Sequence, residues 1–378
     1  MRVLYLEMAF LGFGGSLTGL LQLIDHLPAD IEPVLVTGFD ARPYIDLPRR
    51  LRYEFFVLAP SSDKPASPAR QLGRFYWYHA SPWMKHVNEM IRRYRPSLIH
   101  TANSALSNAP AAFEARRHGI PTVGYQKGFE YRGRVERFVL RRGWYRHHIA
   151  SSNSVAERLF DLGLPREKCT VMYEPIEPPV NGWADGRSGD KTPVVAMFSI
   201  LQPWKGQHVF LQAIAKVAKT YREPFRVLLA GDAPNGSREY PERLKALAAE
   251  LGIADRINFQ GHVRDVFGIL AQTDIAVHAS IKPEPFGRVI AEAMIAGVAV
   301  IATRGGGAAE IVHHEQTGLH VPMGDVDALA GAIERLLRDA ELRRTLGQRA
   351  REFALREFRP DLHAEKVVAL YRDILNGS

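Results

Sequence analysis

Two glutamates eight positions apart bracket the most chemically loaded stretch of the chain, Glu284-Pro285-Phe286-Gly287-Arg288-Val289-Ile290-Ala291-Glu292. An apolar run before it predicts a strand over 274–279, and the apolar spacing after it predicts a helix over 287–296. Gly287 lets the backbone come close to a ligand. The first helical N–H groups then face the space at the strand's end, where open α/β sheets bind ligands and where a helix N-terminus suits a phosphate. One carboxylate stands just before the helix and one inside it, so the two can reach opposite ends of an extended molecule. An anion flanked by hydroxyl-rich rings has that form, and a nucleotide-sugar is such a molecule.

A second candidate is Lys205, which follows Pro203-Trp204 and precedes Gly206 and an amphipathic segment. A lysine placed there can neutralise diphosphate oxygens as charge builds on a leaving group. Removing one such donor costs about 10²–10³ in rate. Gly261-His262-Val263-Arg264 ends another strand, and its backbone could read a nucleobase edge. Gly14-Gly15 lies between a first strand and a first helix, but Leu17 stands where a dinucleotide fingerprint needs its third glycine, which excludes the dehydrogenase motif. Asp325-Val326-Asp327 resembles a D-x-D metal motif, yet it precedes a helix and reads as an N-cap. The histidines show no metal-ligand spacing, and neither a G-x-S-x-G elbow nor a Walker lysine motif is present.

These residues need parallel sheets to position them. In the first half, strands are expected at 2–10, 33–39, 53–58, 97–102, 121–125, 148–151 and 169–173, with a helix over 16–26. In the second half they are expected at 194–198, 225–230, 256–260, 274–279, 298–302 and 319–321, with helices at 208–221, 241–251, 266–272, 287–296, 325–339 and 340–358, and another from Pro360. The stretches 60–68 and 182–190 read as loops. The 378-residue chain therefore divides into an α/β domain over 1–173, a linker at 174–192 and a second α/β domain over 193–358.

The ordered set resembles the retaining GT-B glycosyltransferases of family 4: Lys205-Gly206, the E-x7-E pair Glu284 and Glu292, Gly306-Gly307-Ala308-Ala309-Glu310, and Thr317-Gly318-Leu319. The resemblance is dense from about Pro193 to Ile333 and weaker over the first half. It implies two Rossmann-like domains facing across a cleft, with residues 359–378 crossing back to pack on the first. It also implies a nucleoside-diphosphate sugar as donor, no metal or other cofactor, and a glycan or lipid-linked acceptor. By the same resemblance Glu292 binds ribose hydroxyls, and Glu284 and Lys205 serve the transfer. The backbone at Phe286 and Gly287 meets sugar or phosphate oxygens, Val263 flanks the base, and Gly14 and Gly15 face donor phosphates and acceptor.

Two departures stand out. Many relatives place a histidine near the position where this chain has Gln126 and Lys127. Relatives also carry an arginine where this chain has Ile200, and Arg288 is well placed to substitute for it.

Residues 1–178 carry +7 of the chain's net charge of +8. A basic first domain suggests an anionic partner. Two basic-aromatic stretches lie there, 70–95 with Phe75-Tyr76-Trp77-Tyr78 and Trp83, and 132–148 with Trp144 and many arginines. They suit an anionic bilayer surface, single-stranded nucleic acid, or a core lined by solvated arginines. The family resemblance favours the membrane over nucleic acid.

The single cysteine, Cys169, excludes an internal disulfide. The start does not read as a signal peptide, and no apolar run approaches the ~18 residues of a membrane span. A cytoplasmic protein, at most peripheral to the inner face of a membrane, is the expectation. Two rivals remain: a non-catalytic sugar-nucleotide-binding protein, and another GT-B enzyme such as an epimerase or a phosphorylase.

Overall fold

The computed structural model describes residues 1–8, 14–43, 45–56, 81–129, 133–179, 192–233 and 237–377. The chain forms two compact units, one of Met1–Pro175 with Pro360–Ser378 and one of Ile176–Arg359.

The first unit is built on a parallel sheet. In chain order its strands are β1 (Arg2–Glu7), β2 (Glu32–Thr37), β3 (Arg52–Phe55), β4 (Leu98–Ala102), β5 (Thr122–Gln126), β6 (His147–Ala150) and β7 (Cys169–Val171). They lie in the order β3-β2-β1-β4-β5-β6-β7. The strand order reverses between β1 and β4, and a crevice opens at the carboxyl ends at such a switch point.

Strand alternation sorts β1 between two cores. Val3 and Tyr5 pack with the Gly15–Asp25 helix and with Val367, Val368 and Tyr371. Leu4 and Leu6 pack on the other face with Trp83, Val87 and Ile91 of the Ser81–Tyr94 helix. The last helix, Pro360–Asn376, thus belongs to the first unit. Its buried Tyr371 hydroxyl lies 2.6 Å from His100 Nδ1 on β4.

The second unit repeats the plan with β8 (Val194–Phe198), β9 (Arg226–Ala230), β10 (Ile257–Gly261), β11 (Ile275–His278), β12 (Ala299–Thr303) and β13 (Leu319–Val321). The order is β10-β9-β8-β11-β12-β13, again all parallel, with its switch point between β8 and β11. β8 is a fully buried apolar run, and β12 is fully buried and apolar up to its last residue, Thr303, as a sheet covered on both faces requires. The α/β, GT-B class expected from the sequence is the architecture observed.

Strand and helix limits fall within a few residues of those expected, and β1 stops at Glu7. The chain passes from one unit to the other at Pro175–Ile176, within the 174–192 stretch expected as linker, of which 180–191 lie outside the described residues. Both sides of that point are packed: Glu174 is buried and paired with Lys127, while Ile176 is buried and its N–H donates to the Phe358 carbonyl at 3.0 Å. The 60–68 and 182–190 loops and the Phe75–Tyr78 aromatics lie outside the described residues. Among the described residues, no helix is long and apolar enough to cross a membrane.

Candidate active site

In the second unit, two segments leave the switch-point strands and meet. After β8, Pro203–Lys205 form one turn of 3-10 helix and Gly206 opens the Gln207–Thr220 helix. Gly206 has φ +77°, and a Cβ there would fall 1.9 Å from the Ala279 carbonyl oxygen. Only glycine permits that approach. It lets the Ile281 N–H donate to the Trp204 carbonyl at 2.8 Å, tying the Lys205 turn to the segment after β11.

Glu284 is fixed from its other side. Gly306, at φ +66°, would place a Cβ 2.1 Å from the Glu284 carbonyl oxygen, and the Gly307 N–H donates to that oxygen at 2.6 Å. The glycine turn after β12 therefore works by backbone-to-backbone contact. It leads into a short Gly307–Ile311 helix that the apolar pattern did not indicate.

The result is a dense charge cluster. Lys205 Nζ donates to both carboxylate oxygens of Glu284, at 3.0 and 2.7 Å, and lies 4.1 Å from the centre of the Trp204 ring. His278, the last residue of β11, meets Glu284 Oε2 through Nε2 at 3.1 Å, and the Ser280 hydroxyl donates to the same oxygen at 3.2 Å. Thr303 Oγ1 lies 3.1 Å from the other histidine nitrogen, Nδ1. Burial alone would raise the Glu284 carboxyl; the Lys205 ammonium and His278 outweigh it and bring it down to about 2. Glu284 is thus anionic at any physiological pH.

The Arg288–Ile295 helix starts beside this cluster, with Gly287 as its N-cap. Phe286 buries its ring edge-on against Phe358, so its backbone rather than its ring is available to a ligand. Arg288 Nε lies 3.1 Å from Glu292 Oε1, and both side chains are largely covered. The arginine that could replace the missing phosphate contact is therefore paired with the carboxylate expected to hold ribose. Ile200, two residues beyond β8, is 40% exposed. Val263 is half-buried in the segment after β10. Asp325 caps the Val326–Arg338 helix by accepting from the Ala328 N–H at 2.9 Å, and Asp327 pairs with Lys216.

The first unit places its own residues at its own switch point. Gly14 and Gly15 are exposed at the start of the Gly15–Asp25 helix. Lys127, just after β5, donates to the Ser16 carbonyl at 2.9 Å and pairs with Glu174 at 3.4 Å. Gln126 uses both ends of its amide on the backbone, accepting from the Ala105 N–H at 2.8 Å and donating to the Gly128 carbonyl at 3.1 Å.

The two basic-aromatic stretches differ. Trp83 and Tyr94 are core residues, and the arginines beside them face water. On the Arg134–Arg141 helix Phe138 is 48% exposed, packs edge-on to Trp144 at 6.1 Å, and carries Arg142 over its ring at 4.4 Å.

Residues 184–353 match the family model for glycosyl transferases group 1, and residues 13–178 match the model for glycosyltransferase family 4. The chain belongs to this family of glycosyltransferases. It is 28% identical over 285 residues to the lipopolysaccharide core biosynthesis glycosyltransferase LpsE of Rhizobium meliloti, covering 72% of this chain and 74% of that one. It is 37% identical over 165 residues to N-acetyl-alpha-D-glucosaminyl L-malate synthase of Bacillus anthracis, covering 44% of this chain and 41% of that one. The chain spans less than half the length of other curated relatives too, such as the D-inositol 3-phosphate glycosyltransferase of Acidothermus cellulolyticus, 37% identical over 223 residues, of which 43% is covered. Among solved structures, the Anabaena protein Alr3699/HepE in complex with UDP-glucose superposes with a TM-score of 0.81 at 23% identity, covering 99% of this chain and 100% of that one.

His278, Ser280, Thr303, Glu7 and Glu174 were not singled out in the sequence. One signal was available: a histidine closing an otherwise apolar buried strand, Ile275–His278, needs a partner beyond that strand's end.

Proposed function

We propose that this glycosyltransferase moves a sugar from a nucleoside-diphosphate sugar to a glycan or lipid-linked acceptor, with retention of anomeric configuration and without a metal ion. The observation that carries this reading is the Lys205–Glu284 pair, held at the second sheet's switch point beside a helix N-terminus. Lys205 has one N–H to spare beyond its two bonds to Glu284, and offers it to the diphosphate. Glu284, anionic and rigidly held, takes sugar hydroxyls. Glu292 takes ribose hydroxyls, and Arg288 supplies charge where Ile200 cannot.

In the transfer the bond between the anomeric carbon and the phosphate oxygen breaks, and its electron pair stays on the diphosphate. The acceptor oxygen bonds to the anomeric carbon on the same face, and its proton passes to the leaving diphosphate. Lys205 and the helix N-terminus stabilise the charge that develops. No step requires a metal, and Asp325, in the one D-x-D sequence singled out, is engaged as a helix cap.

A panel of UDP-, GDP- and ADP-sugars tests the reading through release of nucleoside diphosphate in the presence of EDTA. Release from one donor, lost in Glu284→Ala and Lys205→Ala, supports it. The configuration of the product is read from the anomeric proton coupling by NMR. Donor binding without release, even with membrane extract as acceptor, favours instead a sugar-nucleotide-binding protein. The Arg288–Glu292 pair and the exposed Ile200 are what support that second reading.

The exposed Phe138 face, set among Arg134, Arg137, Arg141 and Arg142, supports peripheral contact with an anionic bilayer. Sedimentation with vesicles containing phosphatidylglycerol is expected for the wild type and reduced several-fold in Phe138→Ser. Equal sedimentation of both proteins would remove the assignment.

A further inference from the structure

Among the buried ionisable groups of the first unit that the mechanism above does not use, Glu7 stands beside the glycine turn. Glu7 is the last residue of β1, at the switch point, and it is fully buried. One carboxyl oxygen, Oε2, accepts from the Ser16 hydroxyl at 3.2 Å. The other, Oε1, has no hydrogen bond of good geometry among the described residues, although the Asn103 side chain is near enough to favour the charged carboxyl. Such an atom in a native core calls for an explanation.

Ser16 supplies it, because this residue is held twice. Its side chain is held by Glu7 at the end of β1, and its carbonyl by the Lys127 ammonium after β5. Ser16 lies in the first turn of the Gly15–Asp25 helix, directly after Gly14 and Gly15. Lys127 is in turn anchored on Glu174, the second-last residue before the chain leaves this unit. Two side chains from separate strand ends therefore converge on the one residue that aims the helix's first N–H groups.

We propose that Glu7 is a positioning residue for anion binding at this glycine turn: with Lys127 it holds Ser16 in place, and its own protonation decides how much negative charge stands beside the helix N-terminus. This inference rests on the nucleotide-sugar reading, which supplies the anion.

The charge balance gives the direction. Glu7 faces Ser16 on the helix, Asn103 after β4, Lys127 after β5, and Glu174. Burial raises its carboxyl to about 7, an effect that Lys127 and Ser16 only partly offset. His100 and His363 stand near Lys127, but burial holds both down to about 3, so they are neutral in this range. Below neutrality Glu7 is uncharged, and the Lys127 ammonium is balanced by Glu174 alone. Above it, a second carboxylate charge appears next to the N–H groups that a phosphate would use, and anion affinity falls.

The test is calorimetric titration with inorganic pyrophosphate and with UDP from pH 5.5 to 8.5, on the wild type and on Glu7→Gln. The ligand's own titration is common to both proteins and cancels in the ratio of their Kd values. That ratio is expected near one at pH 5.5 and to rise to about three- to tenfold at pH 8.5, with its midpoint near 7. Ser16→Ala, which leaves Glu7 in place, is expected to move that midpoint to higher pH. This second variant serves if Glu7→Gln fails to fold.

A flat ratio, or an unmoved midpoint in Ser16→Ala, overturns the inference while leaving the donor reading intact. Absence of any binding to either ligand, in wild type and variants alike, overturns both.

Discussion

At the switch point of the second sheet a buried glutamate is surrounded by donors, whereas at that of the first a buried glutamate is left short of them. Glu284 receives two bonds from Lys205, one from Ser280 and one contact from His278. Glu7 accepts from Ser16 and has the Asn103 side chain nearby, while Lys127 donates elsewhere. The strand orders are equivalent and the depth of burial similar. Yet one carboxyl is brought down to about 2 and the other raised to about 7. Topology thus builds the crevice twice, but the side chains that return to it decide whether the carboxyl there is a fixed charge or a proton store. A fixed charge suits a site that must orient a sugar ring. A titrating one suits a place where charge is to be set by conditions.

The largest expected effect breaks the second cluster. Lys205→Ala removes both the cation proposed to meet the diphosphate and the main partner of Glu284. Turnover is expected to fall by about 10²–10³, seen in kcat as well as kcat/KM. A loss confined to KM would mean that Lys205 acts only in ground-state binding, and the proposed role in stabilising the leaving group would go.

Next comes stability against pH, where the two carboxyls should slope in opposite directions. The folded-state value of Glu284 lies below its ordinary value of 4.5, so its contribution is present above pH 4.5 and is lost as pH falls towards 2. That of Glu7 lies above 4.5, so its contribution is complete below pH 4.5 and is lost as pH rises through about 7. Each gap corresponds to an effect on the order of 3 kcal/mol. Urea unfolding measured from pH 3.5 to 8 would resolve it. The wild-type advantage over Glu284→Gln should shrink towards the acid end, and the advantage over Glu7→Gln should shrink towards the alkaline end. Parallel slopes for the two variants would erase the distinction between the crevices.

How much of this was legible in the sequence follows the same division. Lys205, Glu284, Gly287 and Glu292 could be read because strand, glycine, helix and charge stand close together along the chain, and the hydrophobic pattern places them at a sheet's carboxyl edge. The Lys205–Glu284 contact itself spans 79 positions. It depends on Gly206 and Gly306 letting backbones touch, which no local pattern reveals. Glu7 stands within an apolar run, with nothing beside it in the sequence to mark a role. Its meaning comes from Lys127 and Glu174, each more than a hundred residues away. Phe138 and Trp83 looked alike as aromatics among arginines. Only packing separates the exposed ring from the buried one.

The smallest expected effect tests whether the second cluster owes its fixed charge to redundancy. Thr303 lies behind His278, bonded to the ring nitrogen that does not meet Glu284. With Nε2 donating to the carboxylate, Nδ1 accepts from the threonine hydroxyl. Thr303→Val keeps the shape and removes that donor. One buried nitrogen is left unsatisfied, at a cost of about 1–3 kcal/mol in stability. Lys205 and Ser280 remain on Glu284, however, so the carboxylate should stay ionised and kcat should fall by no more than a few-fold. The corresponding subtraction in the first unit, Ser16→Ala, removes the Ser16 hydrogen bond to Glu7 and leaves that carboxyl the smaller contribution of Asn103. It should therefore move the pH response of ligand binding, although it too deletes a single hydroxyl. If Thr303→Val instead gave a pH-rate profile with a new acidic limb, Glu284 would depend on His278 rather than on Lys205. The second crevice would then be as finely balanced as the first.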